Sequence, residues 1–301
     1  MGRIVGGLGS PHAPAIGAAI DRHEEHSRYW KPLFDGYLAM RSWLERERPE
    51  VCILFSNDHF TSVFLDVIPT FALCVASTHE IADEGWGKRA LPPVPGDTEL
   101  GWHLGRSLVE AGFDPTVCHR LPLDHGCLSP LSALFSWTPC WPVRVIPILV
   151  NVLHFPIPTP ARCFELGRAV RRAVASYEDD VKVVVLGTGG LSHQLTGERF
   201  GFINSEWDAE FLDQLEREPE SLAALTHLDY IERGGTESVE VILWLAMRGA
   251  LSERVRCVHR NYYHATLTGY AQIIFEDGEN ASTCGIPAQS RSKRAAPDVA
   301  D

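Results

Sequence analysis

The chain of 301 residues contains no apolar stretch approaching the ~20 residues that a membrane-spanning helix needs. It is also short of positive charge. Lys and Arg number 27 against 39 Asp and Glu, a formal net charge of -12. Phosphate-rich partners are bound by clustered Lys and Arg, so this balance argues against nucleic acid and against an anionic membrane. A small anionic substrate stays open, because it needs only one local pocket. The eight cysteines are irregularly spaced and form no C-x-x-C pair, which argues against a disulfide framework and a thiolate metal site alike. There is no G-x-S-x-G elbow and no H-E-x-x-H helix. The glycine-rich turns Gly6-Gly7-Leu8-Gly9 and Gly187-Thr188-Gly189-Gly190 fit neither G-x-G-x-x-G nor the P-loop pattern. No repeat occurs at solenoid periods. Met1 to Gly9 carries neither a secretory pattern nor an arginine-rich transit pattern, so the chain reads as a soluble cytoplasmic protein.

What the chain does have is a core. Hydrophobic residues make up 45% and charged residues 22%, which rules out global disorder. Short β-rich runs alternate with amphipathic stretches. Strands are expected at Arg3–Leu8, Val51–Phe55, Val143–Val150, Val181–Leu186 and Tyr270–Phe275. Helices are expected at Trp30–Glu47, Thr98–Ala111, Pro160–Ser176, Glu206–Glu216 and Thr236–Arg248. That alternation predicts an α/β fold with a mostly parallel central sheet covered by helices on both faces. Ala82–Gly96 and Pro139–Pro160, rich in Pro, Gly or Trp, read as loop-like but not as flexible linkers. A single domain over residues 1–276 follows, with 277–301 expected as a disordered tail.

In open α/β sheets, ligands collect beyond the carboxyl ends of the strands. His12, His59 and His193 each follow an expected strand, and His125 is expected in a polar, Gly-containing loop, Asp124-His125-Gly126. Any one of them alone is explained as a hydrogen-bonded structural histidine; four in Gly-, Pro-, Asn- and Asp-rich segments point to a shared site. Glu240 lies in an apolar run between Val239 and Val241, and a buried carboxylate is costly unless it is paired or metal-bound. It could equally pair with a core Arg or His. Glu237 competes with it, although first-turn capping accounts for that residue. Two histidines and one carboxylate with open positions are a ligand set that Fe(II) uses in oxygen-activating enzymes. Zinc with the same ligands would instead serve hydrolysis.

Six motifs in order carry a resemblance. They are Ser10-Pro11-His12, Asn57-Asp58-His59, Ala82-Asp83-Glu84-Gly85-Trp86-Gly87, Asp124-His125-Gly126, Gly187 to Gln194, and Val239-Glu240 leading into Met247 to Leu251. Over Arg3 to Glu276 the chain resembles the class III extradiol ring-cleaving dioxygenases, among them the catalytic β subunit of protocatechuate 4,5-dioxygenase and the catalytic domain of gallate dioxygenase. The resemblance implies Fe(II) held by His12, His59 and Glu240, with His193 as catalytic acid/base and His125 as a second catalytic histidine bonding substrate or oxygen. Thr268 then matches a substrate-contacting hydroxyl, and Asn57 is expected beside the substrate. The implied reaction is meta cleavage of a carboxylated catechol such as protocatechuate, gallate or 3-O-methylgallate, with O2 as co-substrate. Ala13 replaces a Thr of the gallate enzymes. Tyr263, His264 and Tyr270 differ from both relatives and are expected to reshape the carboxylate end of the pocket. A separate small α subunit or a homodimer partner is the expected lid. The competing classes are a zinc-dependent hydrolase and a non-catalytic binding protein on the same scaffold.

Overall fold

The computed structural model describes residues 1–278. Of the expected tail only Asp277 and Gly278 fall within it, and Asp277 ends the last strand; the rest of 277–301 lies outside the described residues.

In chain order the strands are β1 (Arg3–Ser10), β2 (Val51–Ser56), β3 (Phe71–Cys74), β4 (Thr78–His79), β5 (Val94–Pro95), β6 (Thr116–Cys118), β7 (Arg144–Val150), β8 (Lys182–Thr188), β9 (Val255–Ala265) and β10 (Thr268–Asp277). The helices are α1 (Pro14–Asp21), α2 (Lys31–Glu47), α3 (Thr98–Glu110), α4 (His125–Leu134), α5 (Pro160–Ser176), α6 (Ser205–Arg217), α7 (Pro219–Ala223), α8 (His227–Gly234) and α9 (Ile242–Gly249), with a 3-10 turn at Glu237–Val241. Eight strands form one sheet in the order β6-β3-β7-β2-β8-β1-β10-β9. Its centre, β7-β2-β8-β1, is parallel, whereas β3 and β10 join that centre antiparallel and β9 extends the edge. The central strands are near-continuous apolar runs because both faces are covered. Along β2 the side chains alternate: Val51, Ile53 and Phe55 enter the core that α3, α5 and α9 also line, while Cys52 and Leu54 enter the one beneath α1, α2 and α4.

Two expectations are corrected. His125 is not in a loop but is the first residue of α4, whose N-cap Asp124 accepts from the Gly126 N–H. Thr236–Arg248 is not one helix. Its first part winds as the 3-10 turn, over a stretch in which β-branched Val239, Val241 and Ile242 weaken the α preference. Pro139–Pro160 is loop-like on either side of β7, which matches the strand expected at Val143–Val150. The edge strand β9 went unpredicted, since its polar sequence, half-buried against β10, shows no apolar run. The turn from β9 to β10 places Thr266 and Leu267 at φ 48° and 64°, the left-handed geometry that fits a tight hairpin.

Candidate metal centre

β2, β8 and β1 are adjacent and parallel, so their carboxyl ends open at one place. His59 follows β2, His193 follows β8 and His12 follows β1; sheet order alone brings the three imidazoles together. Glu240 arrives from the 3-10 turn above β8. Its approach depends on two glycines. A Cβ on Gly187 would stand 2.9 Å from the Leu243 carbonyl, so only glycine lets α9 lie this close to the sheet. Gly189, at φ 123°, would place a Cβ 3.0 Å from the Glu240 Cβ.

Ligand-type atoms of His12, His59 and Glu240 lie within 4.8 Å of one another. His12 Nε2 is 3.1 Å from Glu240 Oε2, and His59 Nε2 is 3.8 Å from Glu240 Oε1. The other nitrogen of each histidine is committed. Thr188 Oγ1 donates to the Phe55 carbonyl at 3.1 Å, so at 3.0 Å from His12 it accepts the Nδ1–H. The His12 Nε2 lone pair therefore faces Glu240. Asp124 Oδ2 accepts from His59 Nδ1 at 3.0 Å and from the His59 backbone N–H at 2.8 Å. Carboxylate or hydroxyl partners of this kind orient ligand histidines.

Burial lowers the His12 pKa and outweighs the opposing pull of Glu240. Burial would lower His59 as well, but hydrogen bonds and charge from Asp124 and Glu240 overcome it and raise that imidazole to about 10. Burial would raise Glu240; the facing His12, His59 and His193 instead hold its carboxyl well below the ordinary range. The Gly190 N–H donates to Glu240 Oε2 at 3.3 Å. A buried carboxylate facing imidazole nitrogens matches the donor set of a divalent first-row metal. A further sign is the Asn57 amide. Its Nδ2 lies 3.1 Å from His59 Nε2, while its Oδ1 is buried with no partner. Glu237, by contrast, turns away and accepts from the Leu195 N–H at 3.1 Å.

His193 is buried, donates Nδ1–H to the Leu191 carbonyl at 2.8 Å and points Nε2 to within 3.8 Å of Glu240 Oε2. Ser192 fixes that turn by donating its N–H and hydroxyl to buried Asp208 at 2.8 and 2.7 Å. Thr268 forms a bridge with His193 and lines the same wall. The His125 ring lies 3.9 Å from that of His59 and 6.0 Å from that of His12. Tyr263 donates to the Tyr29 carbonyl at 2.5 Å, and fully buried Tyr270 bonds Thr266; both brace the turn that carries Thr268, while His264 is exposed. Sequence reasoning missed Thr188, Asp124 and Glu84, which bonds His125. Each sits inside a motif whose histidine or glycines drew the attention, and the signal was that every such imidazole needs a second-nitrogen partner.

The fold and these distances define an α/β protein with a candidate mononuclear metal site of two histidines and a glutamate, flanked by two further histidines. Residues 6–275 match the family model described as the catalytic LigB subunit of aromatic ring-opening dioxygenase, and the chain belongs to that family. It is 48% identical over 211 residues to a gallate dioxygenase of Pseudomonas putida, covering 70% of this chain and 62% of that protein. A 2,3-dihydroxyphenylpropionate/2,3-dihydroxicinnamic acid 1,2-dioxygenase of Azotobacter vinelandii is 37% identical over 162 residues, or 53% of this chain and 49% of that one. One from Xanthobacter autotrophicus is 27% identical over 293 residues, covering 80% and 91%. The matched region thus spans about half to three-fifths of the first two relatives. The crystal structure of an uncharacterised Escherichia coli protein shares the fold, with a TM-score of 0.57 at 14% identity over 89% of this chain and 99% of that one. Among the described residues, no helix is long and apolar enough to cross a membrane.

Proposed function

We propose that the protein catalyses Fe(II)-dependent extradiol cleavage of a carboxylated catechol such as protocatechuate, gallate or 3-O-methylgallate, incorporating both atoms of O2. The observation that carries this is the convergence of His12, His59 and Glu240 beside His193 in a chain 48% identical to a gallate dioxygenase over 211 residues. Bound Fe(II) would supply the Lewis acidity and redox capacity through which catechol and O2 react. His12, His59 and Glu240 would hold it, and two neutral imidazoles with one carboxylate would leave the ion one net positive charge.

The chain's own residues handle protons and orientation. His193 keeps its Nδ1–H on Leu191, so Nε2 is the nitrogen that takes a catechol proton and later returns it. An imidazole can both accept and return a proton, the two directions that this role needs. His125 bonds the substrate or oxygen, and the Thr268 hydroxyl and Asn57 amide orient the ring. Exposed Phe60, Phe64, Trp86, Leu195 and Leu267 lie on the segments leaving this end of the sheet. These exposed apolar side chains support a covering second polypeptide, a separate small α subunit or a homodimer partner.

The test is O2 uptake after anaerobic loading with Fe(II), with protocatechuate, gallate, 3-O-methylgallate and unsubstituted catechol, with and without candidate α subunits. One O2 consumed per ring-fission product is expected. Iron-loaded protein that consumes none with any of them refutes the reading, and protein that refuses iron but keeps zinc favours a hydrolase.

A further inference from the structure

Glu84 comes from the one quoted motif that the proposed chemistry leaves unused, Ala82-Asp83-Glu84-Gly85-Trp86-Gly87. The segment is brought to the centre by backbone pairing. The Leu123 N–H donates to the Glu80 carbonyl at 2.8 Å and the Ala82 N–H to the Leu123 carbonyl at 2.9 Å, so residues 80–82 run beside the approach to α4. Asp83 then folds the tip by accepting from the Gly85 and Gly87 N–H groups, each at 3.0 Å. Glu84 is thereby turned inward while Trp86 stays exposed. One carboxylate oxygen of Glu84 accepts the His125 backbone N–H at 2.9 Å, and the other accepts from the ring Nδ1.

We infer that Glu84 is a positioning residue, whose carboxylate fixes the ring and tautomer of His125 so that Nε2 remains a hydrogen-bond acceptor beside the metal centre. Both Glu84 oxygens are acceptors, so in the neutral imidazole the proton sits on Nδ1 and the lone pair on Nε2. An acceptor at Nε2 can take a bond from a substrate hydroxyl; with the tautomer reversed it could not. A plain ion pair stapling the 82–87 segment to α4 would need the bonds but not the tautomer.

Glu84→Gln separates the two roles. Its amide oxygen can keep the backbone N–H, and its NH2 can still bond the ring, but only if His125 switches to the Nε2–H form. The staple survives and the tautomer inverts. The inference rests on the proposed ring cleavage for its kinetic arm only. In that arm, Glu84→Gln is expected to lower kcat of the Fe(II)-loaded enzyme roughly 10- to 100-fold at wild-type iron content. In a His125→Ala background the same change should alter kcat by less than about twofold, because the two residues act as one unit. An equal loss in both backgrounds, or no loss in the wild-type background, overturns the proposal. Glu84→Ala, which removes both bonds, is the second variant and is read through the same cycle.

The other arm needs no turnover. Long-range 1H–15N correlation spectra of the full metal-free chain, with the His125 signal assigned by its loss in His125→Ala, should show Nδ1–H in the wild type and Nε2–H in Glu84→Gln. An unchanged tautomer refutes the assignment even if ring cleavage is confirmed. If no catechol is turned over but the tautomer inverts, the functional reading fails and the positioning role stands.

Discussion

Asp124→Asn is a small change with a large expected effect. In the native chain Oδ1 accepts the Gly126 N–H at 2.9 Å, capping α4, while Oδ2 accepts from His59 Nδ1 at 3.0 Å and the His59 N–H at 2.8 Å. All three partners are donors, so an asparagine NH2 faces a donor whichever way the amide turns. Burial would raise the Asp124 carboxyl, but His59 and His125 outweigh it and hold it at about 2, against an ordinary 3.8. A shift of nearly two units corresponds to about 2 kcal/mol. Because the folded pKa is depressed, that stabilisation is complete above pH ~4 and is lost as pH falls toward ~2. The mispaired amide adds roughly 1–3 kcal/mol. Urea unfolding of the metal-free variant should therefore show a loss of about 3–5 kcal/mol at pH 7 and a smaller loss near pH 3. With Nδ1 no longer anchored, metal affinity should fall about 10- to 100-fold by chelator competition. Affinity within about twofold of wild type, together with unchanged stability, would refute the argument that Asp124 orients His59.

Four further outcomes are expected. His12→Ala should lose metal retention, whereas His193→Ala should keep iron and lose most turnover; full activity in His193→Ala, measured as O2 uptake, would remove it as acid/base. Glu240→Gln should weaken metal binding far more than Glu237→Gln, whose amide oxygen can still accept from the Leu195 N–H and the Thr236 hydroxyl, and isothermal titration compares them directly. Gly189→Ala should cost about 1–3 kcal/mol from its backbone conformation and should also displace Glu240, seen as weaker metal binding alongside the lower unfolding midpoint. His59, raised to about 10 in the metal-free chain, must give up a proton to bind a cation. Zn(II) binding near pH 8 should then release about one proton, measured calorimetrically in buffers of different ionisation enthalpy, and affinity should rise with pH until about 10. Release of none would contradict the charged His59.

The parallel centre of the sheet was legible because doubly buried strands must be apolar along their whole length, as Val51–Phe55 and Val181–Leu186 are. Pro160–Ser176 was legible from its helical period and its Pro start. The antiparallel edge was not: β9 reads Val-Arg-Cys-Val-His-Arg-Asn-Tyr-Tyr-His-Ala, a polar strand that exists only because β10 is there to pair with it. The 3-10 winding under Glu240 was equally hidden, because the apolar spacing of Thr236–Arg248 suits a helix of either pitch over so short a run.

At the site, the sequence by itself determined which side chains were available and, through strand-then-histidine order, that His12, His59 and His193 stand at one end of the sheet. Only the tertiary structure decided how those groups are held. Thr188 meets His12 across 176 residues of chain, Asp124 meets His59 across 65 and Glu84 meets His125 across 41. Hydrophobic periodicity is a local property along the chain and can place a strand or a helix. A hydrogen-bond partner is chosen by proximity after folding, and no spacing in the sequence encodes it.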